Sequence, residues 1–283
     1  MLIDVFGFLA RAFVLFAPTP APTHAPLHQP APHIAVSIPL MGTPGVGSGS
    51  ASAADAVVDS VQKFYANIKQ VSATFRQTVQ YSTFGTDKTS DGSVLIAKPG
   101  KMRWDYVEKR KGKVEVTKSF ISNGQYLYLV EHDNKQVSKK NLQNDVMPVA
   151  ISFLYGTGNL KAEFTAELDT TGKYGDAKSD VVLKLTPKQP SAQYKNLFLV
   201  VSQKDSHVSQ SIIIDANNNS NHFRFFQPDF EKPIKDAMFM FDMKSVPNYR
   251  SVDLDQQQGS GAATGAPNPP PMPAVPVAPP AKK

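Results

Sequence analysis

The side chains best equipped for chemistry are scattered along this 283-residue chain. His24, His28 and His33 lie in a proline-rich arm; His132, His207 and His222 lie far apart in the body. No HExxH, Gly-rich phosphate loop or GxSxG elbow accompanies them. His132 and His207 fall at predicted turns, so solvated or core-satisfied histidines are expected rather than ligands. Carboxylates are common, but none stands alone in an apolar strand as an obviously perturbed acid. Asp105 alternates with Trp104 and Tyr106 and is expected to face solvent or Arg103. A glycosidase would need two facing carboxylates, and facing is not legible in one sequence. There is no cysteine, which excludes disulfides, thiol catalysis, Cys-type zinc sites and a lipidated N-terminal cysteine. The expectation is a protein that is not an enzyme, with no cofactor and no metal.

The remaining chemical candidate is cationic. "EKRKGKVEVTK" is the longest basic cluster, but Gly112 breaks it and Glu108 and Glu115 dilute it. The net charge is only +6. Nucleic-acid-binding domains concentrate charge more than this, so a solvated hairpin is expected and no nucleic acid. Just upstream, "KPGKMRWDYVEK" holds the only tryptophan. Strand alternation puts Met102, Trp104 and Tyr106 on one face and Arg103 and Asp105 on the other. A stacking platform for bases would need aromatics and cations on the same face.

Proline placement sets the organisation. Eight of the 23 prolines lie between Pro18 and Pro44, and eight more between Pro267 and Pro280. Residues 1–53 therefore read as a leader with a probable export signal, 54–256 as one globular body, and 257–283 as a Pro-rich tail. Two short apolar runs in the front fall well below the ~20 residues of a membrane span. Ala51-Ser52-Ala53 has the small-x-small pattern of a cleavage site; the other reading is an arm with no export role.

The body opens with an amphipathic helix whose stripe is Val57, Val61, Phe64, Ile68, Val71 and Phe75, spaced by three and four. After Thr74 the period becomes two, and short strands follow one another through turns such as Asn123-Gly124. "DVMPVAISFLYGTG" interrupts them as a short oily helix starting at Pro148. "KPIKDAMFMFDM" reads as a helical turn ending in a last apolar strand. The class is mainly β (α+β): an incomplete, strongly curved antiparallel half-barrel of about 10–11 strands covered by 2–3 helices. The concave face of such a sheet is too wide for its own side chains to fill, so helices or a ligand must cover it. Helix 148–155 is the natural lid.

The order of these pieces carries a resemblance. The N-terminal helix is followed by "GSVLIAKPGKMRWDY", "SNGQYLYLVE", "MPVAISFLYG" and "VLKLTPK". Together they resemble the LolA family of periplasmic outer-membrane lipoprotein carriers, over about Ala54 to Leu254. No single motif is diagnostic; order and spacing are. The resemblance implies a soluble periplasmic monomer with three partners. It takes triacylated lipoproteins from an inner-membrane ABC transporter, shields their acyl chains, and passes them to an outer-membrane acceptor (LolB-like). Without cysteine, the chain cannot be the lipid-anchored acceptor itself. The family carries an arginine before the proline of the "KPG" turn, where it tethers the lid helices; here that position is Lys98. A lysine reaches the same carbonyls but lacks the planar fork. Lys98 is thus either a lid latch or a plain turn lysine, with Arg103 a second candidate for the latch.

Alternation nominates cavity-lining residues: Trp104, Tyr106, Phe120, Tyr126, Tyr128, Ile151, Phe153, Leu154, Phe198, Ile213, Phe223 and Phe225. A slip of one position flips any of them to the other face. Two other classes stay open beside the carrier. One is a half-barrel periplasmic sensor or glycolipid-binding module acting in envelope regulation. The other is a hydrolase with an unrecognised carboxylate site.

Overall fold

The computed structural model describes residues 48–83, 85, 87–142, 159–190 and 194–259. Helix α1, Ser48–Asn67, buries Ala54, Val58, Val61 and Tyr65, with Val57, Phe64 and Ile68 at the flanks. It ends earlier than its stripe suggests. Val71 and Phe75 belong to strand β1, Gln70–Gln80, because the set 71, 73, 75 fits period two as well as 71 and 75 fit the helical spacing.

From β1 the chain meanders through β2 (Asp87–Ala97), β3 (Lys101–Arg110), β4 (Lys113–Asn123), β5 (Tyr126–Glu131) and β6 (Gln136–Asn141). After the one-turn helix α2, Leu160–Glu163, come β7 (Phe164–Leu168), β8 (Asp180–Pro187), β9 (Asn196–Ser202), β10 (Val208–Ile214) and β11 (Ser220–Asp229). β1 and β11 pair, which joins the two meanders into one open curved sheet. With β12, Arg250–Asp253, the described residues form twelve strands in the order β12-β6-β5-β4-β3-β2-β1-β11-β10-β9-β8-β7. All pairings are antiparallel except that of β12 with β6. The chain ends its described part in helix α3, Leu254–Gly259.

The apolar strand expected within 232–243 does not form. Asp236–Phe239 and Met243–Ser245 are single 3-10 turns, and the last strand is the polar "RSVD". This stretch crosses the outer face of the sheet, where Phe241, Met243, Val246 and Tyr249 pack on Ile121, Val130 and Val137. Phe241 and Met243 are covered by that packing without a ladder, while Met238 and Met240 stay exposed. The other end of the outer face is closed by Val182, Val200 and Ile212 under Tyr174, Phe198 and Ile214.

His222 lies on this outer face, its Nε2 2.7 Å from Gln210 Oε1 and its ring 5.8 Å from that of Tyr174. Burial, and then the charge of Arg224, pull its pKa down from 6.5 to about 4. The folded chain refuses a proton that the unfolded chain accepts, so stability falls as pH drops from 6.5 toward about 4. The loss is roughly 1–2 kcal/mol once the water reaching a half-buried ring is discounted. Thermal melts at a series of pH values should show this slope in the wild type and a flatter one in His222→Gln. Equal slopes would assign the acid loss to other groups.

Candidate functional site

The inner face of the sheet, the one bearing α1, holds two joined apolar clusters. Under α1, Leu183, Leu185, Leu197, Leu199, Val201 and Val208 pack against the helix, with Ile213 at the edge. Beside them Val71, Ala73, Phe75, Val94, Ile96, Met102, Tyr106, Phe120, Leu127 and Phe223 form an aromatic floor, with Trp104, Leu129, Leu142, Phe225 and Phe230 around it. Ile68, one residue past α1, touches both.

Cross-strand register builds this floor. Trp104 sits between Val94 on β2 and Phe120 on β4. Its ring centroid is 5.2 Å from Phe75 and 5.6 Å from Phe223. Phe75 in turn meets Tyr106 edge-on at 5.1 Å, the geometry that aromatic quadrupoles favour. The two rings meet across β2 because the residue between them is Gly92. Burial pushes the Tyr106 phenol well above its ordinary pKa, so it stays neutral.

A cavity of about 30 Å³ remains between floor and cover, walled by Tyr65, Val71, Ala73, Val94, Ile96, Trp104, Val208, Phe225, Pro228 and Phe230. That is about the space of one water molecule in the liquid. Ligand pockets run to roughly 300–1,000 Å³. A ligand larger than one water must therefore part the cover from the floor here.

Hydrogen bonds pin the C-terminal end of α1 to the sheet and to the turn before β3. The Tyr65 hydroxyl accepts from Val208 N at 3.1 Å. Lys98, in the cis Lys98–Pro99 turn, donates from Nζ to the Tyr65 carbonyl and, at 3.2 Å, to the Ala66 carbonyl. These are last-turn carbonyls of α1, which have no partner within the helix and sit at the negative end of its dipole. Burial draws the Lys98 ammonium below the ordinary lysine pKa.

Of the residues nominated by alternation, Trp104, Tyr106, Phe120, Phe223 and Phe225 come together on the floor, and Ile213 lies under α1. Three are on the wrong face. Phe120 pairs directly with Leu129, and Ser122 with Leu127, so the leucines of β5 face inward. Tyr126 and Tyr128 face outward, where Tyr128 meets Phe241 at 5.3 Å and Lys139 sits 3.9 Å over Tyr126. Phe198 pairs with the outward Ile212, while Leu197 pairs with Ile213. Arg103 also faces outward, bonded to Asp105 Oδ2 at 2.7 Å and to the Met238 carbonyl at 3.3 Å. It therefore lies on the opposite side of the sheet from α1. Ile151, Phe153 and Leu154, with the lid helix, lie outside the described residues.

The nominated lining leaves out Phe75, Val94, Leu127, Leu129 and Phe230, while alternation does place Met102 on the face of Trp104 and Tyr106. The signal was parity. Once Phe120 faces inward, the β4–β5 hairpin forces odd-numbered residues of β5 inward, whatever their size. Among the described residues no cluster of three His, Asp or Glu could hold a metal ion, and no helix is long and apolar enough to cross a membrane.

The chain is similar to several known proteins. A relative from Cupriavidus pinatubonensis, named outer-membrane lipoprotein carrier protein, is 27% identical over 60% of this chain and 76% of its own length. One of the same name from Chromobacterium violaceum is 26% identical over 72% of this chain and 92% of its own. A solved LolA-superfamily protein from Nitrosomonas europaea overlays with a TM-score of 0.37 at 10% identity, over 67% of this chain and 98% of its own. Residues 66–242 match the family described as "Outer membrane lipoprotein carrier protein LolA". That match spans more than half of the chain, which therefore belongs to the LolA family.

Proposed function

We propose that this protein is a periplasmic carrier that buries the acyl chains of lipoproteins against the aromatic floor of its sheet. The observation that carries this reading is the floor itself: a continuous apolar surface on β1–β5 and β11, in a chain whose relatives are named lipoprotein carriers. The carrier domain is 54–256, between a leader at 1–53 and a tail at 257–283. The cargo is triacylated lipoprotein, taken from an inner-membrane ABC transporter and passed to an outer-membrane acceptor. The work is binding, and no side chain of the floor is a catalyst.

The mechanism is competition for one surface. Each CH₂ taken out of water contributes about 0.8 kcal/mol, so a bare floor would hold three acyl chains too tightly to release them. Here Tyr65, in the last turn of α1, and Phe230 close over one part of the floor and leave about 30 Å³ there. Cargo affinity is reduced by the free energy of lifting that cover. Release follows when the cover returns. Lys98 sets part of this balance by holding the C-terminus of α1.

The test uses inner-membrane vesicles holding a triacylated lipoprotein and the lipoprotein-releasing transporter, with ATP. Adding the protein should bring lipoprotein into the soluble fraction as a one-to-one complex. Cargo that stays in the membrane, while an established carrier releases it from the same vesicles, would overturn the reading.

A further inference from the structure

The inner face carries buried polar side chains at several places, Ser122, Ser138 and Lys140 among them, and one further cluster holds an unmet group. Gln77 on β1 and Asn221 on β11 face inward, and Ser211 on β10 lies beside them. They are 2%, 4% and 9% exposed. Gln77 Nε2 donates to Asn221 Oδ1 at 2.9 Å. Gln77 Oε1 has no partner, and among the described residues neither Asn221 Nδ2 nor the Ser211 hydroxyl has one. The inward strand neighbours include Phe75, Phe223, Ile213 and Leu199, with the polar Ser90 opposite Gln77 on β2. A buried carbonyl without a donor costs about 1–3 kcal/mol, so the Gln77 oxygen calls for a ligand that meets it, with Asn221 Nδ2 and the Ser211 hydroxyl as further polar groups on the same face.

We propose that Gln77, Asn221 and Ser211 form a subsite that takes a secondary amide at the head of an acyl chain. An amide offers one donor and one acceptor. Its N–H meets Gln77 Oε1; its C=O accepts from Asn221 Nδ2 or the Ser211 hydroxyl. Turning over both side-chain amides leaves an unmet donor instead, which the same ligand satisfies through its carbonyl. An ester has no N–H to give. A phosphate has none either, and it meets no cation among these neighbours. The subsite rests on the carrier reading and deepens it: the protein would distinguish N-acylated cargo from lipids whose chains are all ester-linked.

The test titrates the full-length chain with N-methylpalmitamide and with methyl palmitate, following Trp104 fluorescence. Trp104 touches Phe223, the direct cross-strand partner of Gln77. In a featureless apolar cavity the amide is disfavoured, because its N–H loses water without replacement. The subsite reverses this. In Gln77→Met the amide-to-ester affinity ratio should fall by roughly five- to tenfold while ester binding holds. Gln77→Met also takes the donor from Asn221 Oδ1, so one unmet oxygen replaces another and the empty protein should melt near the wild type. If the single variant does not fold, Gln77→Leu with Asn221→Leu, which removes both amides, carries the same expectation for the ratio. An unchanged ratio in the variant overturns the subsite and assigns the cluster to water. Failure of both lipids to move Trp104 overturns the carrier reading with it.

Discussion

Gly92→Ala should lower the thermal midpoint by about 6–12 °C, the largest effect expected of any single methyl group in this protein. A Cβ at this position would overlap the carbonyl oxygen of Asp105 on the neighbouring strand and sit 2.5 Å from Cζ of Phe75. The first obstacle is backbone and cannot rotate away. The second is a ring that is 2% exposed and already fixed against Trp104, Tyr106 and Phe223. Overpacking a fixed site costs about 1–3 kcal/mol, and the backbone collision puts this one at the upper end, about 3 kcal/mol. For a body of this size each kcal/mol moves the midpoint by roughly 2–4 °C. The double variant with Phe75→Ala separates the two obstacles. Trimming the ring removes only the softer one, and it costs about 3–5 kcal/mol in its own right. The double variant should therefore melt below either single variant. A Gly92→Ala protein melting within 2 °C of wild type would show that β2 and β3 are not held at the spacing described.

The same glycine explains what the sequence could and could not reveal. In "DGSVLIA" it reads as a weak spot in a strand. Only the pairing of Phe75 with Gly92 and of Gly92 with Tyr106 shows that the gap lets two rings close across β2. The strand meander is legible because alternation and turns agree at nearly every step. Lys111-Gly112 takes positive φ at both residues, 48° and 81°, as a tight hairpin demands. The faces are less legible. On β3 and β11 the aromatics themselves alternate, so size and parity give one answer. On β5 they disagree: the tyrosines are the larger residues, yet parity places Leu127 and Leu129 inward. The final strand carries no signal, since "RSVD" has one apolar residue and is recruited by β6 rather than by its own pattern. The end of α1 is ambiguous because Val71 and Phe75 satisfy both periods. The Gln77–Asn221 pair is invisible before folding, being brought together by strands 144 residues apart in sequence.

Lys98 is where stability and function should separate. Lys98→Ala removes both donors to the Tyr65 and Ala66 carbonyls and the positive charge at the end of the α1 dipole. The ammonium keeps some contact with water, so the loss is about 1 kcal/mol rather than the value for a fully buried ion. Loss of a mere turn contact would lower stability and leave lipid binding unchanged or weaker. Loss of a latch acts differently, because the covered floor competes with cargo. Destabilising the covered state by about 1 kcal/mol should tighten methyl palmitate binding about fivefold while the empty protein melts lower. Backbone amides in the last two turns of α1 should exchange faster with solvent in the same variant. Lys98→Met keeps the stem and loses the donors, so it should behave as Lys98→Ala does. Lys98→Arg keeps donors and charge and should restore the wild-type balance, its fork being able to serve both carbonyls at once. The opposite signs of the two readouts make the distinction: a variant less stable when empty and tighter when loaded has lost a contact that exists only in the covered state. If Lys98→Ala melts lower and binds lipid no better, the lysine belongs to the turn, and closure of the floor depends on Tyr65 and the apolar packing of α1.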